Sequence, residues 1–119
     1  TTFFVEGSND SQVIDFVDGF RDYLNSNSTA KTNNGGDDEI AAVSAMGFDA
    51  YYTALEAMKN AGSVKPEAIL AALPTTTYKG VSGSIAFNEI GDAIRDVAYI
   101  KKVNTSTGKW EFVAQQTVK

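Results

Sequence analysis

The sequence predicts a mixed α/β fold in which helices occupy the first two thirds of the chain and strands most of the last third. Over residues 11–24, 39–61 and 66–74, apolar residues recur every three or four positions, which indicates amphipathic helices. Beyond Tyr78 apolar residues alternate with polar ones, which indicates strands. Glycine and proline mark the changes of pattern at Gly62 and Pro66. With an apolar N-terminal segment added, the predicted order is β-α-α-α-β-β-β.

The first two predicted elements are a short strand and an amphipathic helix. Residues 1–5, TTFFV, are β-branched and aromatic, which is typical of a strand. Asn9 or Asp10 can cap a helix that begins near Ser11. The apolar face of this helix comprises Val13, Phe16, Val17, Phe20 and Leu24.

The first helix is followed by a polar stretch, and the two segments contain two sets of acidic residues. Residues 25–38 lack apolar anchors, so we expect a mobile, exposed loop. Residues 37–39, DDE, could bind a metal, although Asp37 or Asp38 as a cap of the next helix is the favoured interpretation.

The first helix carries three acidic residues opposite its apolar face. A calcium or acid site is one interpretation of them, and a solvated helix surface is the favoured one. These residues are Asp15, Asp18 and Asp22.

The longest helix is predicted over residues 39–61 and ends at Gly62. A third helix begins at Pro66, whose missing N–H is harmless in a first turn, and continues to Pro74. The longest helix has a broad apolar face. That face comprises Ile40, Val43, Phe48, Tyr51, Tyr52, Leu55 and Met58.

The last third predicts a hairpin, a longer strand and a returning strand. Gly80 and Gly83 flank a tight approach of the backbone to neighbouring elements, where a Cβ would clash or a positive φ is needed. Gly91 and Asp92 reverse the chain, with Asn or Asp side chains bonding the turn backbone. The next strand is expected over residues 93–103, and NTSTGK leads into a final strand over residues 110–114.

Composition excludes several functional classes. The chain of 119 residues is long enough for one modest core. Its net charge of −5 argues against binding to nucleic acid or to an anionic membrane surface. Because the chain has no cysteine or histidine, it cannot build thiolate zinc sites, cysteine nucleophiles or histidine acid–base machinery. We therefore predict no catalytic residue, no metal site and no cofactor.

Several motifs, taken in order, resemble a known family. Phe48-Asp49-Ala50 begins the main part of a long helix, PEAILAALP gives a short one, and Gly80 and Gly83 open a G-x-x-G segment that continues to Phe87-Asn88 and Gly91-Asp92. A final strand pair surrounds Gly108-Lys109. This order is similar to the C-terminal part of the branched-chain amino-acid (Leu/Ile/Val-type) solute-binding proteins of bacterial ABC importers. The sequence departs from the family in having Phe48 for tyrosine and Asn88 for aspartate.

The resemblance implies part of a type I periplasmic-binding-protein fold, in which two lobes are joined by a three-segment hinge. Residues 1–119 would be a single fragment cut from a longer protein. It would hold mostly first-lobe helices, two hinge crossings near residues 1–5 and 97–103, and a terminal second-lobe strand over residues 110–114. An amino acid or a similar small solute would bind in the cleft of the full-length protein, and an ABC permease would recognise the closed form. The location would be extracytoplasmic, in the periplasm or as a lipoprotein on the outer face of the membrane.

The resemblance also implies candidate ligand-binding residues at the start of the long helix. Ala45 matches a solute-contacting position best, and Met46 and Phe48 are its neighbours. An alternative interpretation places Met46 and Phe48 in the core, because their spacing fits a buried helix face equally well. Asp49 could bind an amino group, or it could stabilise the helix dipole.

Other functional classes stay open on the sequence alone. The chain could be an acidic α/β interaction module, or a receptor-type ligand-binding domain that acts in sensing rather than transport. An enzyme is the weakest interpretation, because no pair of carboxylates is placed by more than helix-surface spacing. Exposed strand edges at residues 1–5 and 97–100 predict self-association of the fragment.

Overall fold

A computed structural model describes residues 2–95 and 97–117, and it confirms the mixed α/β class. Four helices and a short 3-10 turn precede five strands within that part of the chain. They are α1 (Ser11–Ser26), α2 (Ser28–Asn33), α3 (Ala42–Ala61), α4 (Pro66–Ala72), the 3-10 turn (Leu73–Thr75), β1 (Tyr78–Gly80), β2 (Gly83–Phe87), β3 (Ala93–Ile94), β4 (Val97–Val103) and β5 (Trp110–Thr117).

Helix α1 begins where the sequence predicts. The side chain of Asp10 accepts a hydrogen bond from the backbone N–H of Gln12 at 3.0 Å, which satisfies one of the unpaired donors of the first turn. The same carboxylate accepts a 2.6 Å bond from Nζ of Lys79, the middle residue of β1. Asp10 therefore joins the start of α1 to the first strand.

The predicted exposure of residues 25–38 is confirmed, but the stretch is not a loop throughout, because it contains α2. Asn27 caps α2 by accepting from the N–H of Ala30 at 2.9 Å. Asn25 donates to Asp38 at 3.1 Å and accepts from Lys31 at 2.7 Å, which ties the two ends of the stretch together. None of residues 25–38 is buried. Local side-chain hydrogen bonds thus order a segment that has no apolar anchor.

Helix α3 starts three residues later than predicted. Its N-cap is Ala41, which makes no side-chain capping bond, so neither Asp37 nor Asp38 is its cap. The carboxylate of Asp37 instead accepts from the N–H of Glu39 in the preceding turn. The predicted end is confirmed, since Gly62 adopts the left-handed conformation at φ 59°.

The buried face of α3 also differs from the prediction. Val43 is 70% exposed and Tyr51 is 62% exposed, although both belong to the predicted apolar face. The buried positions are small or polar: Ala45, Asp49, Thr53 and Ala57. Small side chains let α3 approach α4 and β1 closely, and this packing overrides the apolar pattern.

Two antiparallel sheets follow the helices. The first has the order β1-β2-β3, with Tyr78 opposite Ile85 and Gly80 opposite Gly83. The second is the β4–β5 pair, which has a bulge between Ile100 and Lys101. The strand expected over residues 93–103 is therefore divided between two sheets, and Asp96 lies outside the described residues. The last strand is longer than predicted, because β5 continues to Thr117.

The predicted strand at residues 1–5 is reduced to one bridge between Thr2 and Tyr99. Its two backbone hydrogen bonds measure 2.8 and 2.7 Å, and Thr1 lies outside the described residues. Phe4 is fully buried and meets Phe16 edge to face at a centroid distance of 5.7 Å. Within the described residues, the Thr2–Tyr99 bridge is the single pairing of the N-terminal segment with β4.

The core lies where α1, α3 and the β1–β2 turn meet. Its buried members are Phe4, Val13, Phe16, Ile40, Ala45 and Val81. Among the described residues, no helix combines the length and the apolar character needed to cross a membrane.

Candidate functional site

A buried carboxylate organises the hairpin that the glycine pattern singled out. Asp49 has no exposed surface, and its Oδ1 accepts from the N–H of Val81 at 2.8 Å. Its Oδ2 accepts from both the N–H (2.8 Å) and the hydroxyl of Ser82. These three bonds compensate the cost of removing the carboxylate from water. Asp49 thus fastens α3 to the β1–β2 turn, and neither interpretation drawn from the sequence, an amino-group ligand or a dipole partner, describes its role.

The two glycines of the hairpin serve the two purposes that were predicted as alternatives. A Cβ at Gly80 would overlap the carboxylate of Asp49, so this position needs close backbone approach. Gly83 meets open space but adopts a φ of +108°, which L-residues rarely adopt. Glycine is therefore needed at Gly80 to avoid a clash and at Gly83 to adopt a positive φ.

Arg95 extends the Asp49 network toward the N-terminal segment. Its Nη1 donates to the backbone carbonyl of Ser82 at 3.0 Å and to the Ser82 hydroxyl oxygen at 2.8 Å. Its guanidinium also lies 5.4 Å from the ring centroid of Phe3, within cation–π range. The segment before β4 and the N-terminal segment are thereby held to the same turn. No sequence spacing predicts this network, because its members are distant along the chain.

The structure separates the three residues predicted to bind ligand. Ala45 is fully buried in the core, and Met46 is partly buried. Phe48 lines an open groove between α1 and α3 and packs on the ring of Phe16 at 4.8 Å between centroids. Their contact with a solute stays a prediction.

The groove that Phe48 lines has a volume of about 570 Å³, which is within the usual range of small-molecule sites. One wall is formed by residues of α1 that are spaced three or four apart, and the other wall is formed by residues of α3 and β1. Its aromatic members are Phe16, Phe20, Tyr23, Phe48, Tyr52 and Tyr78. This groove was not predicted from the sequence, although aromatic residues four apart in both helices indicate an aromatic face on each.

Tyr78 closes one end of the groove in a fixed orientation. Its ring lies nearly parallel to that of Tyr52, with 7° between the planes and 6.2 Å between centroids. Nε2 of Gln12 donates to its hydroxyl at 3.2 Å. Burial, and secondly the nearby charge of Asp49, raise the pKa of Tyr78, although the Gln12 bond opposes the shift.

The acidic residues of α1 do not form a cluster. Asp15, Asp18 and Asp22 are all exposed. Within residues 2–95 and 97–117, no group of three acidic side chains is arranged to hold a metal ion. Asp38 accepts its bond from Asn25, and this bond, more than any other contact, lowers the pKa of the Asp38 carboxyl.

Comparison with known proteins points to a class of binding protein. No family model matches the sequence, and no curated protein matches it significantly. A solved structure of the leucine-binding protein LivK from Thermotoga maritima matches 92% of this chain at 29% identity, with a TM-score of 0.65. The fold is therefore that of a fragment of a type I periplasmic binding protein.

The LivK structure is much longer than this chain. This chain spans only 27% of the length of the LivK structure. The likeness supports kinship with the periplasmic binding proteins, in agreement with the resemblance found in the sequence. LivK is described as a binding protein for leucine.

Proposed function

We propose that this chain is the C-terminal part of an extracytoplasmic solute-binding protein that captures an amino acid, or a similar small solute, for an ABC importer. The observation that carries the proposal is the match to the leucine-binding protein LivK over 92% of the chain. The Gly80, Gly83 and Asp49 arrangement supports it, because the sequence resemblance rests on the same residues that hold the hairpin together. No catalytic step is proposed.

The proposal assigns this chain a supporting share of the solute site. The start of α3 would contribute apolar walls through Ala45, Met46 and Phe48. Ala45 has no exposed surface in this fragment, so it would shape the wall from behind rather than offer a large contact. The polar groups that bind the ammonium and carboxylate of an amino acid would come largely from the rest of the protein.

The proposal also includes closure of two lobes and recognition of the closed form by a permease. The two crossings within this chain would be the segment at residues 1–5, in which Thr2 pairs with Tyr99, and strand β4. Their pairing, together with Arg95 on Ser82 and Phe3, supports the idea that they move as one unit.

A thermal-shift screen tests the proposal on a protein that contains this chain and the two complete lobes. Each of the twenty amino acids is added in turn. We expect the melting temperature to rise with at least one aliphatic amino acid, since a ligand that binds only the folded state stabilises it by mass action. If no amino acid raises it, solute capture of this class is wrong.

A further inference from the structure

We infer that the groove between α1 and α3 binds a small organic cation, an ammonium group joined to an aromatic or branched apolar body. The inference goes beyond the proposed function, because the groove is lined entirely by this chain and does not depend on a second lobe. Its basis is the combination of a continuous aromatic surface, an empty space opposite a helical glycine and one carboxylate.

The aromatic surface is continuous along the groove. The rings of Phe16 and Phe48 lie 4.8 Å apart, and those of Phe48 and Tyr52 lie 4.7 Å apart, between centroids. Tyr52 and Tyr78 continue the series as a parallel pair. Aromatic faces carry partial negative charge and attract cations within about 6 Å of the ring centroid. The surface therefore suits a ligand that is both apolar and positively charged.

Gly19 keeps the groove open on the side of α1. It lies in the helix interior with an ordinary helical φ, and a Cβ built on it meets no atom within 4 Å. No backbone conformation or close contact requires glycine there, although glycine destabilises a helix relative to alanine. Space in the groove is what this residue provides.

Asp15 gives the groove its charge preference. Among the described residues that line the groove, it is the single carboxylate, and no lysine or arginine accompanies it. Asp15 forms no ion pair with another described residue. A cation is therefore attracted both by the carboxylate and by the rings, whereas the carboxylate of an amino-acid zwitterion finds no basic partner in the lining.

The test is a titration of the 119-residue chain with benzyltrimethylammonium at low salt, followed by backbone amide shifts. Benzyl alcohol serves as the neutral aromatic probe. We expect saturable shifts at Gly19 and Phe48, and an affinity for benzyl alcohol at least threefold weaker. Asp15→Asn should weaken cation binding about three- to fivefold, as for an exposed charge pair. Asp18→Asn, which makes the same charge change on the same helix outside the groove, should leave the affinity unchanged.

A second pair of variants blocks the groove. Gly19→Leu should abolish the shifts, while Gly47→Leu should not, because Gly47 is also helical with open space but does not line the groove. Gly19→Met, whose unbranched side chain is well tolerated in a helix, replaces Gly19→Leu as the blocking variant if the latter fails to fold. The inference is overturned if the cation does not bind, if the neutral probe binds equally well, or if Asp15→Asn has no effect. It is also overturned if light scattering shows that the parent chain is an oligomer and that Gly19→Leu is a monomer, because the groove is then an interface between copies.

Discussion

At the scale of single residues, the chemistry of Asp49 decides how the C-terminal half is attached to the helices. Its position in α3 follows from the helical pattern, but its partners in the turn at Val81 and Ser82 do not. Gly80 could be identified from the sequence as a site of close approach, while the group it approaches could not. The carboxylate and the glycine form one unit, because a Cβ at Gly80 would occupy the place of the carboxylate.

Asp49→Asn should destabilise the fold by about 2–4 kcal/mol. The amide cannot accept hydrogen bonds at both atoms, so a buried donor of the turn loses its partner. Chemical denaturation of the variant and the parent chain measures the change. Asp18→Asn, an exposed control, should stay within about 0.5 kcal/mol. Equal stabilities for Asp49→Asn and Asp18→Asn would show that the turn does not depend on this carboxylate.

Tyr78 should give the chain an alkaline pH dependence. Because its pKa is raised in the folded state above the ordinary value of 10.0, the unfolded state loses this proton first as pH rises. The contribution of Tyr78 to stability is thus fully present below pH 10 and is lost as pH rises through the folded pKa. Tyr78→Phe should flatten the fall of unfolding free energy above pH 10. Tyr51→Phe, at an exposed site, should keep the slope of the parent, and an unchanged slope in Tyr78→Phe would contradict the assignment.

At the scale of elements, the sequence predicts well where local chemistry decides and poorly where distant packing decides. The Asp10 cap, the Gly62 stop and the Asn88 turn were all predictable, since each needs only neighbouring residues. The buried face of α3 was not, because its orientation is chosen by α4 and β1. The groove is intermediate: its aromatic residues are periodic, but only the fold shows that the two helices leave a space between them.

The contact between α1 and β1 gives a prediction at this scale. Lys79 donates to the Asp10 carboxylate, and this bond, more than that from Gln12, lowers the pKa of Asp10. A lowered folded pKa means that the contribution to stability is present above the ordinary value of 3.8 and is lost as pH falls through the folded pKa. Lys79→Met should raise the pKa of Asp10, as measured by carboxyl NMR titration, and Lys102→Met should not. No shift in Lys79→Met would mean that the ion pair is not formed in solution.

At the scale of the whole molecule, we propose that a free edge of the β4–β5 pair directs self-association. Residues 97–100 pair with β5 on one side and, among the described residues, meet Thr2 on the other side only at Tyr99, so β5 and the rest of β4 both present unpaired edges. Glu111 is the only charge in β5, and Trp110 is 65% exposed. Such an edge is weakly protected against pairing with another chain. We expect concentration-dependent dimers.

Light scattering at several concentrations measures this association. Val113→Lys should lower the dimer fraction, because two copies would bring like charges together at the edge. Val43→Lys, on the exposed face of α3, is the matched control and should not change it. A monomer at all concentrations, or equal effects of both variants, would contradict pairing through β5.

The central proposal is that this chain is a supporting part of a two-lobed amino-acid-binding protein. Calorimetric titration with leucine, isoleucine and valine tests it on both the 119-residue chain and a protein that contains it with both lobes. We predict saturable one-site binding of at least one of these amino acids to the two-lobed protein, and none to the 119-residue chain, because on this proposal most polar binding groups would lie outside it. Tight binding to the chain alone, or no binding to the two-lobed protein, would contradict the account.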